Sequence, residues 1–126
     1  MKWVLIAVGG AFGSVLRCAL QGWVQKITGE DFPAGTLAVN VLGCLLAGLL
    51  AGVIAGPLEI REEYRAGLMI GLLGGFTTFS AFGLESFGLA TPGQWRLALL
   101  YILLSCGFGI LAVWLGFQLA RQWFGA

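Results

Sequence analysis

The sequence is poor in charged residues. Only 10% of its 126 residues are Asp, Glu, Lys or Arg, whereas a soluble domain typically carries about 25%. Hydrophobic residues make up 59% of the chain, and the mean hydropathy is +0.93. This shortage of charge argues against a small soluble protein. The length of the chain fits a single domain. We therefore expect residues 1–126 to form a single transmembrane domain in a lipid bilayer.

The sequence also has no histidine, and its three cysteines, Cys18, Cys44 and Cys106, fall on separate apolar segments. Their number is odd and they form no CxxC pair, which argues against a disulfide framework or a metal cluster. With no histidine as a base and no evident activating partner for serine or cysteine, the chain is not expected to be an enzyme. The net charge of +1 gives no basic footprint for nucleic acid.

Four long apolar runs remain once these classes are set aside. Apolar runs of about 20 residues span a bilayer, and we expect helices over residues 3–24, 34–56, 66–90 and 97–119. Several glycines in these runs are spaced by four, which lets helices approach closely in a membrane. The composition thus predicts an all-α integral membrane protein with four spans.

The basic residues do not settle the orientation of these spans. The positive-inside rule needs a clear excess of lysine and arginine on one side of the membrane. Lys2, Arg61, Arg65 and Arg121 would lie on the side of the termini, and Lys26 and Arg96 on the opposite side. Insertion in both orientations stays open, and it would permit an antiparallel homodimer.

The third run contains an unusual segment, GGFTTFSAFG, at residues 74–83. Each glycine lowers helix stability by roughly 1 kcal/mol relative to alanine, and Thr77, Thr78 and Ser80 can bond to the backbone instead of supporting the helix. Unwound backbone at membrane depth is tolerated only where it is buried in protein or faces water or an ion. The alternatives are a simple glycine kink and a broken helix, whose carbonyls suit a hard cation and whose amides and hydroxyls suit an anion.

Two phenylalanines and one asparagine are candidates for contact with such an ion. Phe79 and Phe82 share a helix face, and the weakly positive edges of their rings could accept a small anion. Asn40 is an amide in the middle of the second run, where an unpartnered amide costs several kcal/mol. Ordinary packing remains the alternative for the rings, and an interhelical hydrogen bond for the amide.

Four further polar residues lie within or beside the apolar runs. Arg17 is a charge inside the first run, where it would face a cavity or extend toward the membrane surface. Tyr101 and Ser105 are spaced by four and form a polar stripe on the fourth run, although helix packing explains them too. Glu85 would bind a proton or a cation, or cap a pore mouth, and the residues alone assign it no role.

Together these residues resemble the Fluc/CrcB family of fluoride channels over the whole chain. The resemblance rests on GTLAVN at residues 35–40, GGFTTFSAF at residues 74–82, the following Glu85, and GSVLR ending at Arg17. It implies a fluoride-selective channel for passive fluoride export across the bacterial inner membrane. It also implies a broken third helix and an antiparallel, dual-topology homodimer with a structural sodium ion at its centre.

The resemblance further implies a role for each candidate residue. Arg17 matches a vestibule arginine, and Glu85 is associated with the pore. The backbone carbonyls of Gly74 and Thr77 would hold the sodium ion, because a hard cation prefers oxygen ligands. The expected pore residues are Asn40, Thr78, Phe79, Ser80, Phe82, Tyr101 and Ser105.

Three positions depart from the family pattern. Ala81 and Gly83 stand where hydroxyl residues are usual, and Gly109 stands where the polar stripe often continues with serine. The polar track of this chain therefore has fewer side-chain donors. Water or backbone groups would have to fill the gaps, or conduction would be slower.

Two other functions compete with the channel. A small multidrug-type exporter is also a short four-span dimer, but it needs a carboxylate in the first span, where this chain has Arg17 and no acid. A non-transporting membrane assembly subunit would explain the spaced glycines. It would not explain why hydroxyls and phenylalanines gather at one segment of the third run.

Overall fold

The computed structural model describes residues 1–56 and 58–124, and the regular structure of this part of the chain is entirely helical. Pro57, Gly125 and Ala126, which fall in the expected domain 1–126, lie outside the described residues. The helices are α1 (Lys2–Thr28), α2 (Ala34–Ala55), α3 (Glu62–Ala66), a π-helical segment (Gly67–Leu73), α4 (Gly74–Phe76), α5 (Phe79–Ala90) and α6 (Trp95–Phe124).

Four stretches of the described chain are long and apolar enough to cross a membrane, which confirms the predicted number of spans. They are Lys2–Thr28, Ala34–Ala55, Glu62–Ala90 and Trp95–Trp123. The first and last helices extend beyond the expected limits of 24 and 119, to Thr28 and Phe124. Lysine, arginine and glutamine are good helix formers, so the helical backbone continues past the point where the apolar run stops.

The helices pack in two pairs, and close approach at glycines determines both. α2 lies along α6, and α1 lies along the π-helical segment and α4. A Cβ atom added to Gly52 of α2 would lie 2.5 Å from the Cβ of Ala120, and one added to Gly75 of α4 would lie 2.7 Å from the carbonyl oxygen of Gly10. Because lipid provides no hydrophobic drive between helices, such small contact faces are what brings them together.

Two residues between α4 and α5 have extended backbone dihedrals. Thr77 has φ −97° and ψ 160°, and Thr78 has φ −148° and ψ 119°. Residues in this region of φ/ψ space cannot continue the helical hydrogen-bond ladder. The helix restarts at Phe79, because the Thr78 side chain caps α5 by accepting a hydrogen bond from the Ala81 N–H.

Candidate functional site

The extended segment at Thr77 and Thr78 is held from α2 by the side chain of Asn40. Asn40 Nδ2 donates to the Thr78 carbonyl at 2.9 Å, and the Thr78 N–H donates to Asn40 Oδ1 at 2.8 Å. These two bonds satisfy backbone groups that must be paired at membrane depth. A primary amide has two N–H donors, so Asn40 keeps one for another acceptor. Asn40 therefore forms an interhelical hydrogen bond, the alternative given for it from the sequence. The second N–H of its amide remains a possible donor.

Two backbone carbonyls beside this segment lose their usual helical donors. In a continuous α-helix each carbonyl accepts from the N–H four residues later. The Thr78 N–H, which would serve the Gly74 carbonyl, donates to Asn40, and the Ala81 N–H, which would serve Thr77, donates to the Thr78 hydroxyl at 3.2 Å. The carbonyls of Gly74 and Thr77 are thereby released from their α-helical donors.

Arg17 reaches the same segment from α1. Its Nε donates to the Gly75 carbonyl at 3.0 Å, and the side chain is half-buried. The absence of a Cβ at Gly75 lets α1 come near enough for this bond, since a Cβ there would lie 3.2 Å from Ser14 Oγ. A guanidinium ion is always charged, so a fixed positive charge stands beside the extended segment.

A cleft of about 400 Å³ opens at the extended segment and brings together residues of α2, the third span and α6. Phe79 lies at its edge and is 82% exposed. Ser80 is exposed as well, and its Oγ lies 3.4 Å from the Thr78 Oγ1. The predicted site residues that line the cleft are Asn40, Gly74, Thr77, Thr78, Phe79, Phe82 and Ser105.

Four aromatic rings form a row that leads away from this cleft. The ring centroid of Phe82 lies 5.7 Å from that of Phe79 and 5.3 Å from that of Tyr101. Tyr101 is fully buried, and its ring meets that of Phe32 at 5.5 Å with an interplanar angle of 88°. Phe32 belongs to the connection between α1 and α2 and was not among the residues predicted for the site.

Two buried hydroxyls on α6 lie beside the cleft and the row of rings. Within the described part of the chain, neither Tyr101 Oη nor Ser105 Oγ has a hydrogen-bond partner. The Tyr101 hydroxyl faces Thr36 and Glu85 without meeting either in hydrogen-bond geometry. Buried hydroxyls are almost always paired, so these two groups are available to a ligand that is small enough to reach them.

Glu85 of α5 contacts α2 through a hydrogen bond with Thr36. Its Oε1 accepts a hydrogen bond from the Thr36 hydroxyl at 2.6 Å, and that hydroxyl accepts one from Gln21 Nε2 at 2.9 Å. Glu85 and Gln21 also line a second cavity of about 520 Å³, together with Glu30 and Asp31. Phe82 lines the first cleft and Glu85 the second cavity, so the two spaces are separated by one turn of α5.

Gln21 was not predicted as a site residue, although its position in the sequence indicates a role. An uncharged polar side chain stands near the end of an apolar run, four residues after Arg17. That spacing places both on one face of α1. From this face Arg17 reaches the extended segment, and Gln21 reaches Thr36.

The four apolar spans, with a cleft between three of them, define a small multi-pass membrane protein. A sequence profile of the family described as "CrcB-like protein, Camphor Resistance (CrcB)" matches residues 4–117. The chain belongs to the CrcB family, which confirms the resemblance found from its motifs.

Proteins named fluoride-specific ion channel FluC are similar to nearly the full chain. The protein from Roseiflexus sp. is 43% identical over 121 residues, which cover 96% of this chain and 98% of the relative. That from Pseudomonas fluorescens strain Pf0-1 is 46% identical over 118 residues, with 94% and 95% covered. That from Geobacter sulfurreducens is 45% identical over 117 residues, with 93% and 94% covered.

Proposed function

We propose that this protein is a fluoride-selective channel that lets fluoride leave the cell passively across the bacterial inner membrane. The observation that carries the proposal is the pair of buried, unpartnered hydroxyls of Tyr101 and Ser105 beside the ring of Phe82. Relatives over nearly the whole chain are named fluoride-specific ion channels, which agrees with it.

The chemistry of fluoride matches the donors along this row. Fluoride is small and strongly hydrated, so a selective pore must replace its water yet hold it loosely enough to leave. The free N–H of Asn40 and the hydroxyls of Ser105 and Tyr101 are hydrogen-bond donors, and the ring edges are weakly positive. Arg17 raises the local positive potential near the extended segment. We assign Asn40, Thr78, Phe79, Ser80, Phe82, Tyr101 and Ser105 to the pathway.

Glu85 lies at the far end of the proposed pathway. The Thr36 hydroxyl donates its hydrogen to Glu85, so that hydrogen is not available to an anion in the pathway. The Glu85 carboxylate borders the second cavity. An ionised carboxylate there would repel an anion that leaves the Tyr101 hydroxyl, and the hydrogen bond from Thr36 offsets part of that repulsion. In this proposal Glu85 therefore borders the pathway and is not a ligand for fluoride.

A second copy of the chain in the opposite orientation completes the pathway. Phe79 is 82% exposed, and Gly74 and Cys106 of the same cleft are also exposed. A ring that lines an ion path needs a protein wall on its other side. An antiparallel partner provides that wall, and the weak bias of basic residues is consistent with insertion in both orientations.

The extended segment is, in this proposal, the functional break of the third span, and its carbonyls hold a structural sodium ion. Gly74 and Thr77 fit that role because both carbonyls are released from their helical donors. Carbonyl oxygens are the ligands that hard cations prefer. The ion would join the two copies at the break and take no part in the passage of fluoride.

Sodium should therefore raise the thermal stability of the dimer. A ligand that binds only the folded state stabilises it by about 2.7 kcal/mol at a hundredfold excess over its Kd, which corresponds to several degrees in Tm. Thermal unfolding in sodium chloride is compared with unfolding in N-methylglucamine chloride at equal ionic strength. Equal Tm values in the two salts would remove the sodium site from the proposal.

Gly109 offers a test of the polar track on α6. It is buried one turn beyond Ser105, and a Cβ there would lie 3.5 Å from Cys44 Sγ, which is an ordinary contact. Gly109→Ser therefore adds a hydroxyl without a clash. A hydrogen bond inside a membrane protein averages about 0.6 kcal/mol, so fluoride flux should rise roughly threefold above that of the size-matched control Gly109→Ala. Equal flux in the two variants would place Gly109 off the pathway.

Fluoride efflux from liposomes tests the function itself. Purified protein is reconstituted in vesicles loaded with potassium fluoride, and release is followed with a fluoride electrode after a potassium ionophore is added. Rapid fluoride release with no chloride release under the same gradient supports the channel. Absence of fluoride release would favour the assembly subunit, and proton-dependent uptake of an organic cation would favour the exporter.

A further inference from the structure

Phe32 is the last ring of the aromatic row, and it lies outside the membrane helices. It belongs to residues 29–33, which connect α1 to α2. Its ring meets Tyr101 at 5.5 Å, almost perpendicular to it. Tyr101 has no exposed surface, while Phe32 is only half-buried. The Phe32 ring thus covers the buried Tyr101 ring on the side of the loop.

The side chain of Gln25 bonds to two backbone groups of this loop and to one of α2. Gln25 Nε2 donates to the carbonyl of Gly29 and, at 2.8 Å, to that of Phe32 itself. Gln25 Oε1 accepts from the Gly35 N–H at 3.0 Å. One amide therefore ties the end of α1, the loop and the first turn of α2 together. Since Gln25 also lines the second cavity, this tie lies where the proposed pathway opens.

We propose that Phe32 is a gate residue at the loop end of the pathway and that Gln25 is its positioning residue. The inference rests on the proposed fluoride channel. In the closed position the Phe32 ring covers Tyr101, and an ion passes from the hydroxyl track to the second cavity when the ring tilts away. A single ring contact is weak enough to open thermally, and the three bonds of Gln25 return the loop to its place.

Variants at Phe32 that change ring size in opposite directions test the gate. Phe32→Ala should raise the initial rate of fluoride efflux about two- to tenfold, the population change that loss of one aromatic pair produces. Phe32→Trp, which enlarges the ring, should lower the rate below that of the wild type. A residue that only supports packing would lower the rate in both variants. Chloride efflux should stay at the wild-type level in each.

Gln25→Leu should act in the same direction as Phe32→Ala, because it removes both bonds to the loop and the one to Gly35 of α2. If Gln25 acts through Phe32, the double variant should conduct no faster than Phe32→Ala alone, since coupled residues are not additive. Ile27→Ala is the matched control, because Ile27 lies on the same turn of α1 and is 64% exposed. It should leave the rate unchanged.

An unchanged or reduced rate in Phe32→Ala, or chloride release through it, would overturn the gate. Full additivity of Gln25→Leu and Phe32→Ala would overturn the positioning role of Gln25. These outcomes are separate from failure of the proposed function, which would appear as absence of fluoride efflux in the wild-type protein.

Discussion

Asn40→Asp is expected to abolish fluoride passage while the protein still inserts and folds. The carboxylate keeps the acceptor for the Thr78 N–H, but it sets a second oxygen against the Thr78 carbonyl, where Asn40 now donates at 2.9 Å. It also brings a negative charge to the pathway. Two like charges about 4 Å apart repel by about 4 kcal/mol at an effective dielectric constant of 20, which lowers a rate by roughly three orders of magnitude.

Two control variants separate the charge of Asp from the loss of the hydrogen bond. Asn40→Leu removes both bonds to Thr78 without adding charge. Cys44→Asp adds a charge one turn further along α2, in the same cleft, without touching the bonds. Liposome efflux should be reduced in both, and each should retain more flux than Asn40→Asp. Wild-type throughput in Asn40→Asp would show that Asn40 only fixes the packing of the extended segment.

Phe82→Ile is expected to reduce fluoride flux strongly while the assembly persists. Isoleucine fills much of the same apolar volume but has no ring edge, and both ring contacts of Phe82, with Phe79 and Tyr101, are lost. An aromatic pair contributes about 0.5–1.5 kcal/mol and two pairs are lost, so we expect flux to fall roughly fivefold to a hundredfold. Phe79→Ile should reduce flux in the same direction, through its ring contact with Phe82.

Phe87→Ile is the matched control for these two variants. Phe87 lies on α5 with Phe82 and is 70% exposed. The same chemical change there should leave fluoride efflux unaffected. Wild-type flux in both Phe82→Ile and Phe79→Ile, measured in liposomes with the assembly checked by size-exclusion chromatography, would remove the rings from the pathway.

The architecture was predictable because it depends on composition and local pattern. Apolar runs long enough to span a bilayer exist in the sequence regardless of how they pack, and the structure confirms four of them. The glycine spacing indicated close helix contacts, and Gly52 and Gly75 make such contacts. These features need only residue type and periodicity.

The partners within the site were not predictable in the same way. Asn40 bonds to the backbone of Thr78, 38 residues away, and the position of that backbone depends on where the helical ladder stops. Phe32 carried no periodic signal, because a loop residue acquires its role from the helix it folds onto. Gln25 continues the spacing of Arg17 and Gln21 on α1, but that spacing does not show which loop groups its amide bonds. Contacts at such sequence distances follow from tertiary packing, which one sequence does not display.

The sequence also does not show what covers Phe79 from outside. Its place three residues before Phe82 predicted a shared face, and the ring centroids lie 5.7 Å apart. The spacing gives no information on what covers the ring from outside. For a residue that is 82% exposed in the single chain, the proposed second copy would supply that cover.

The reversal potential of the purified protein in a planar bilayer is the decisive measurement. Fluoride is set at different concentrations on the two sides, while sodium and chloride are kept equal. If the extended segment, the rings and the buried hydroxyls select fluoride, the reversal potential will follow the fluoride gradient, by about 59 mV for each tenfold step of a singly charged ion. A reversal potential that stays at zero in a fluoride gradient, and moves with chloride or sodium instead, would contradict a fluoride channel built on these residues.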